Sequence, residues 1–173
     1  MPKTSIIRQV YAAGAAVAAA LVLAGPAPAQ ASTTSPVTSC PNICVLDARA
    51  GAHPDFDRLV FDLGGTGLPQ VRATASADGM YHTAGDDEIR HLQISGKSYL
   101  LLDVSGGVVA LPSGPDAYAT PRVQSVSLPS LKGVELAAGY EGNVTFGLAL
   151  GDHSQYKIFT LTSPNRVVVD VYH

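Results

Sequence analysis

Apolar and polar residues alternate in short segments along most of the chain after residue 43. The segment DRLVFDL at residues 57–63 is a clear example, because Leu59, Phe61 and Leu63 recur at every second position. Successive side chains of a β-strand point to opposite faces of a sheet, so this period places all three on one face. The segment RVVVDVY at residues 166–172 has the same period. We predict a half-buried strand at each place.

Similar segments, rich in Val, Leu, Ile, Tyr and Phe, recur between turns rich in Gly, Pro, Asp and Ser. They predict strands at residues 44–50, 57–63, 70–76, 89–95, 98–105, 122–128, 133–139, 143–150, 156–162 and 166–172. No long segment after residue 31 has the 3.6-residue apolar period of a helix. Many short strands at this spacing predict an all-β antiparallel sandwich or barrel. We expect loops or irregular edge strands at residues 77–88 and 106–121.

The first 31 residues have a different pattern. Lys3 and Arg8 precede an apolar run at residues 10–24, and Ala29 and Ala31 follow as the small residues of a cleavage site. This order is typical of a secretory signal peptide. The run of about 15 residues is shorter than the ~20 that a membrane-spanning helix needs. We therefore predict a signal peptide at residues 1–31, a secreted or wall-associated protein without membrane insertion after cleavage, and a Ser/Thr-rich lead-in at residues 32–43.

Charge excludes two classes of partner. The formal net charge is −3, and removal of Lys3 and Arg8 with the signal peptide makes it more negative. No run of Lys or Arg remains in the rest of the chain. We therefore expect no binding of nucleic acid, and no electrostatic attachment to anionic lipid.

The two cysteines, Cys40 and Cys44, lie close together at the start of the predicted domain. In an exported protein, two cysteines at this spacing are expected to form a local disulfide. A metal site would need further ligands, and no histidine lies nearby in sequence. A redox pair would favour the C-x-x-C spacing, which this segment lacks.

Residues with catalytic or metal-binding potential are scattered. The five histidines have neither the i, i+4 spacing of a helical zinc site nor a neighbouring C-x-x-C pair. The chain contains no G-x-S-x-G, phosphate-loop or dinucleotide-binding motif. It also contains no Trp, which weakens the case for a sugar site built on stacked rings. We predict no catalytic residue, no metal site and no cofactor.

Two strands share one charged motif, with Arg and Asp four residues apart. If they are antiparallel neighbours with Val60 opposite Val168, each Arg faces an Asp of the other strand, whereas parallel pairing would oppose like charges. We therefore interpret the motif as a register device. An alternative is that the arginines face an anion of the cell wall. The candidate binding or register residues are Arg58, Asp62, Arg166 and Asp170.

The chain resembles the AMIN-like domain of secreted actinobacterial proteins. The resemblance rests on LDARAGAHPDFDRLVFDLGG at residues 46–65, GYEGNVTFGLAL at residues 139–150 and YKIFTLTSPNRVVVDVYH at residues 156–173. Family members tend to have Trp where this chain has Phe146, which keeps an inward aromatic side chain. The resemblance implies a domain at residues 44–173, related to the AMIN domains that localise envelope proteins. Those domains are two-sheet β-sandwiches without catalysis, so we expect an antiparallel two-sheet sandwich of about 8 to 10 short strands.

Three functions are consistent with these features. The resemblance favours an exported, non-catalytic module that contacts the cell envelope, either peptidoglycan or a wall-associated protein. A small secreted hydrolase, with a site assembled from residues distant in sequence, is the first alternative. A structural envelope protein without a small ligand is the second. The resemblance transfers no catalytic residue to any position of this sequence.

Overall fold

The computed structural model describes residue 40 and residues 42–83, 88–112 and 114–173, and within these ranges it contains strands and no helix. The predicted signal peptide and most of the lead-in lie outside the described residues. None of the described residues forms a helix long and apolar enough to cross a membrane. The strands are β1 (Ile43–Ala52), β2 (Phe56–Gly65), β3 (Gln70–Ser76), β4 (Met80–His82), β5 (Ile89–His91), β6 (Ser98–Ser105), β7 (Gly107–Val108), β8 (Val123–Ser125), β9 (Leu131–Tyr140), β10 (Asn143–Leu150), β11 (Tyr156–Leu161) and β12 (Arg166–Tyr172).

Ten of these strands form two five-stranded sheets. Sheet A has the order β11-β12-β2-β1-β7, sheet B has the order β3-β6-β10-β9-β8, and β4 pairs with β5 in a separate hairpin. All strand pairs are antiparallel except β1 and β7, which run parallel over two residues. The predicted antiparallel sandwich is thus confirmed, with a short parallel pairing at one edge of sheet A. The chain leaves β6 of sheet B through Gly106, whose φ is +86°, and enters the edge of sheet A as β7.

The inward faces of the two sheets share one hydrophobic core. Leu59 and Phe61 of β2 and Val169 of β12 contribute from sheet A, and Leu100 and Phe146 contribute from sheet B. The rings of Phe61 and Phe146 are 4.5 Å apart between centroids, so side chains of the two sheets are in direct contact. This arrangement confirms the predicted all-β sandwich.

The register of β2 and β12 is the one that the sequence motif predicts. Val60 lies opposite Val168 in antiparallel pairing. The last strand, β12, therefore lies inside sheet A between β11 and β2. The same register sets Arg58 opposite Asp170 and Asp62 opposite Arg166.

A segment that follows β5 covers part of the outer face of sheet B. Gly147 of β10 leaves room for it, since a Cβ atom there would lie 2.3 Å from the side chain of Leu92. The buried carboxylate of Glu135 accepts hydrogen bonds from the backbone N–H groups of Gln93 (2.6 Å) and Ile94 (3.3 Å). The predicted strand at 89–95 therefore ends at His91, because the next residues bind the sheet face instead of a neighbouring strand.

A disulfide joins Cys40 to Cys44, with the two Cα atoms 5.9 Å apart. This confirms the predicted pairing. Cys44 is fully buried in β1. The bond therefore attaches residue 40 to the first strand of sheet A.

Candidate functional site

The outer face of sheet A carries the charged motif. Arg58 donates two hydrogen bonds to Asp170, from Nε to Oδ1 at 2.7 Å and from Nη2 to Oδ2 at 2.8 Å. The Asp170 side chain is 6% exposed and the Arg58 side chain 33% exposed. This pair is thus more buried than a typical surface ion pair, and a two-point guanidinium–carboxylate contact is the strong form of such bonds.

Aromatic rings hold the Arg58 side chain on this face. Its guanidinium carbon is 4.9 Å from the ring centroid of Phe56 and 5.5 Å from that of Phe159, both within cation–π range. Val60 and Val168 point to the same outer side in register, yet both are buried. The outer face of sheet A is therefore covered by a second, thin packed layer of side chains around Arg58.

The second predicted ion pair does not form, although Arg166 lies opposite Asp62. Asp62 instead accepts two hydrogen bonds from Arg49 of β1, at 2.8 Å and 3.2 Å. Arg166 donates from Nε to the carbonyl oxygen of Pro164. A long arginine side chain can reach a diagonal neighbour on the next strand, and β1 supplies that competitor on the other side of β2. The prediction omitted β1, so it assigned the wrong partner to Asp62.

A small pocket lies between the two paired arginines. It has a volume of about 170 Å³, and its lining includes Arg49, Arg58, Gly51 and His53. A Cβ atom on Gly51 would meet no atom within 4 Å, so the pocket is open above this residue. The His53 ring stacks on Phe56 with centroids 4.6 Å apart, which fixes the imidazole at the pocket wall.

A larger polar groove lies on the opposite surface, over sheet B. Its volume is about 720 Å³. The register places Arg72 of β3 opposite Asp103 of β6, and Asp103 opposite Thr145 of β10. Thr145 donates a hydrogen bond to Asp103 at 2.8 Å, whereas the side chain of Arg72 makes no hydrogen bond or ion pair with the other described residues. The polar side chains that line the groove include Gln70, Arg72, His82, Asp103, Ser105 and Asn143.

Asp57 of β2 is a buried carboxylate that was not among the candidate residues predicted from the sequence. Its Oδ2 accepts hydrogen bonds from the backbone N–H groups of Ser130 (2.5 Å) and Leu131 (2.8 Å). Its Oδ1 is buried without a hydrogen bond among the described residues, and lies 3.8 Å from Nε2 of His173. The strand period shows that Asp57 shares the inward side with Leu59, and this could have marked it as a buried carboxylate. The two hydrogen bonds that it accepts from backbone N–H groups give Asp57 a structural role at the edge of the core.

The histidines do not assemble into a metal site. His153 and His173 come closest, with ring centroids 6.5 Å apart. Within the described part of the chain, no group of three or more His, Cys, Asp or Glu side chains is placed to bind a metal ion. The 3.8 Å separation of Asp57 and His173 exceeds hydrogen-bond distance. The pocket and the groove are lined by hydrogen-bonding and charged side chains.

These features define a β-sandwich domain with a charged pocket on the outer face of sheet A and a polar groove over sheet B. The chain belongs to the AMIN-like domain family, whose model matches residues 44–173. No curated protein and no solved structure matches the chain.

Proposed function

We propose that this protein is an exported, non-catalytic binding module that contacts the cell envelope. Membership of the AMIN-like family supports the association with the cell wall. The polar groove over sheet B is the observation that carries the proposal, because it is the largest of the concave surfaces described above. The partner is peptidoglycan or a wall-associated protein.

The lining of the groove suits a polymer rich in hydroxyl, amide and carboxylate groups. Asn143 and Gln70 each carry an amide that both donates and accepts hydrogen bonds, and Arg72 supplies a cation without a protein partner in the described structure. The guanidinium of Arg72 can therefore bind a carboxylate or a carbonyl oxygen of a ligand without breaking an existing ion pair. Its position beside Asp103 adds an acceptor for hydroxyl or amide protons.

Cosedimentation with purified wall sacculi tests this function. The protein without residues 1–31 retains every residue that the structure describes, so it is the form to use. We expect it to sediment with sacculi, and we expect Arg72→Gln combined with Asn143→Ala to weaken binding about tenfold or more, as loss of a hydrogen bond to a charged group predicts. Arg122→Gln is a matched control, because Arg122 is also exposed and pairs with Asp116 away from the groove.

Two arms of the assay separate the alternatives. Binding only to sacculi that retain their proteins identifies a wall-associated protein as the partner, whereas binding to stripped sacculi identifies the polymer. Release of soluble wall fragments during incubation would support the hydrolase alternative. Protein that stays in the supernatant over a range of salt concentrations, with both preparations, would exclude wall binding and leave a structural role.

A further inference from the structure

We propose that the pocket between Arg49 and Arg58 on sheet A binds a phosphate-type oxyanion, one group of a polymer with repeating phosphates. This site is separate from the groove over sheet B, since the two lie on the outer faces of different sheets. Anion binding in this pocket is therefore independent of the proposed wall binding through Arg72.

The two guanidinium groups are fixed before any ligand binds. Each arginine uses Nε and Nη2 to bind its carboxylate, Asp62 for Arg49 and Asp170 for Arg58. The Nη1 groups, with two N–H donors each, remain without an acceptor among the described residues. These bonds limit side-chain motion, so an anion between the arginines meets donors that are already in place.

The pocket has the size of one anionic group. Its volume of about 170 Å³ is smaller than the ~300 Å³ or more typical of small-molecule sites. The His53 ring at its wall adds a nitrogen donor, and Gly51 leaves the entrance free of side-chain atoms. A single phosphate group fits this description, while a sugar ring with its substituents does not.

The charge of the surrounding face favours a ligand with several anionic groups. At outward positions of β1, β2, β12 and β11, the carboxylates are Asp47, Asp62 and Asp170, and the cations are Arg49, Arg58, Lys157 and Arg166. Arg166 and Lys157 have no carboxylate partner among the described residues. The face is thus net positive on a chain whose formal net charge is −3. Lys157 of β11 and Arg166 of β12 extend the positive charge beyond the pocket, which matches a chain of repeated charges better than an isolated ion.

The hydrogen bonds to carboxylates keep both arginines charged. Bonding to Asp62 raises the pKa of Arg49, and bonding to Asp170 raises the pKa of Arg58. Both guanidinium groups therefore remain protonated at neutral pH.

An NMR titration of the ¹⁵N-labelled protein with inorganic phosphate, at low salt, tests the site. We expect saturable shifts of the backbone amides of Gly51 and His53. Arg49→Gln should weaken binding about tenfold, the effect of losing one charged hydrogen-bonding group. Asp62→Asn should strengthen binding, because it removes a negative charge beside the pocket while its amide oxygen can still accept a hydrogen bond from Arg49. Inorganic polyphosphate should bind more tightly than phosphate, because it reaches the further cations.

A distant ion pair provides matched controls. Arg122 and Asp116 are 55% and 51% exposed, similar to Arg49 at 54%. Arg122→Gln and Asp116→Asn make the same charge changes elsewhere, and we expect neither to alter phosphate binding. Equal effects of the two sets of variants would show that affinity follows net charge alone, and would overturn the proposal. The absence of saturable shifts at Gly51 and His53 would do the same.

Two further arms identify the source of the phosphate. If the protein binds vesicles of phosphatidylglycerol more tightly than polyphosphate, the source of the phosphate group is a lipid surface and the proposed polymer ligand is wrong. If sulfate at the same concentration changes the amide chemical shifts as much as phosphate does, the pocket binds an adventitious ion only. Because Arg72→Gln leaves this pocket intact, phosphate binding and sacculus binding can fail independently.

Discussion

The hydroxyl group of Tyr118 is buried, and it has no hydrogen-bond partner among the described residues. Its ring lies 5.7 Å from that of Phe146 in the core, so the side chain contributes packing between the sheets. Replacing a buried, unpaired hydroxyl with hydrogen leaves no other group unsatisfied. The aromatic ring is therefore the part of Tyr118 that stabilises the fold.

Tyr118→Phe should leave the free energy of unfolding at pH 7 unchanged or raise it by up to about 1 kcal/mol. Burial raises the pKa of Tyr118, so the folded state keeps the neutral phenol at a pH where the unfolded chain ionises. The associated stability is present below the unfolded pKa of about 10 and is lost as pH rises through the folded pKa. The variant should therefore lose less stability above pH 10.

Urea unfolding at pH 8 and above pH 10 measures both effects. Tyr81, whose pKa is also raised by burial, remains in the variant and retains part of the alkaline dependence. If Tyr118→Phe lowered the free energy of unfolding at pH 8 by more than about 1 kcal/mol, the hydroxyl group would have to make a stabilising hydrogen bond.

At the scale of strands, the ion pair between Arg58 and Asp170 connects β2 to β12. The two residues are 112 positions apart in sequence, and the hydrogen bonds between them lie under aromatic rings. The pair between Arg49 and Asp62 connects β1 to β2 and is more exposed. The two pairs have the same chemistry and differ in burial.

Double-mutant cycles should separate these two pairs. We expect a coupling energy of about 1–3 kcal/mol for Arg58→Ala with Asp170→Ala, and below about 1 kcal/mol for Arg49→Ala with Asp62→Ala. The exposed pair serves as the control, because solvent screens its charges. Equal coupling energies from urea unfolding would show that burial under Phe56 and Phe159 adds nothing.

Strand positions were largely predictable, because a half-buried strand leaves a period of two in its own sequence. The pairing of β2 with β12 was also predictable, since only one antiparallel register opposes unlike charges at both ends of the motif. The short strands β4 and β7 lie in the two segments where loops or irregular edge strands were expected, and neither is long enough to show a period. Leu92 and Ile94 were assigned to a strand because they are apolar, but they pack against a sheet face, where Ile94 is buried and Leu92 half-buried.

The ion-pair partner of Asp62 could not be predicted from the sequence of any single strand. The choice between Arg49 and Arg166 depends on which strands flank β2, and that order is a property of the whole sheet. The groove was unpredictable for the same reason, because it gathers side chains from strands that are neighbours in space but distant in sequence. The pocket lies within the β1–β2 hairpin, but its form depends on which carboxylates hold Arg49 and Arg58.

For the whole molecule, the disulfide between Cys40 and Cys44 should be a minor contribution to stability. It closes a loop of only a few residues, so it restricts the unfolded chain little. Cys40→Ser breaks the bond and leaves Cys44 in its buried position. We expect the variant to fold and to lose about 2 kcal/mol or less of unfolding free energy in urea. The wild-type protein under reducing conditions is the control, and its unfolding curve should coincide with that of the variant.

The position of β12 between β2 and β11 also sets an order of events during synthesis. Among the described strands, β11 pairs with β12 alone, so it has no such partner until residues 166–172 have been made. A nascent chain can form the β1–β2 hairpin and much of sheet B, but not the complete sandwich. Late addition of β12 keeps sheet A incomplete until residues 166–172 have been made. Export of a chain with the proposed signal peptide can therefore begin before the sandwich is complete.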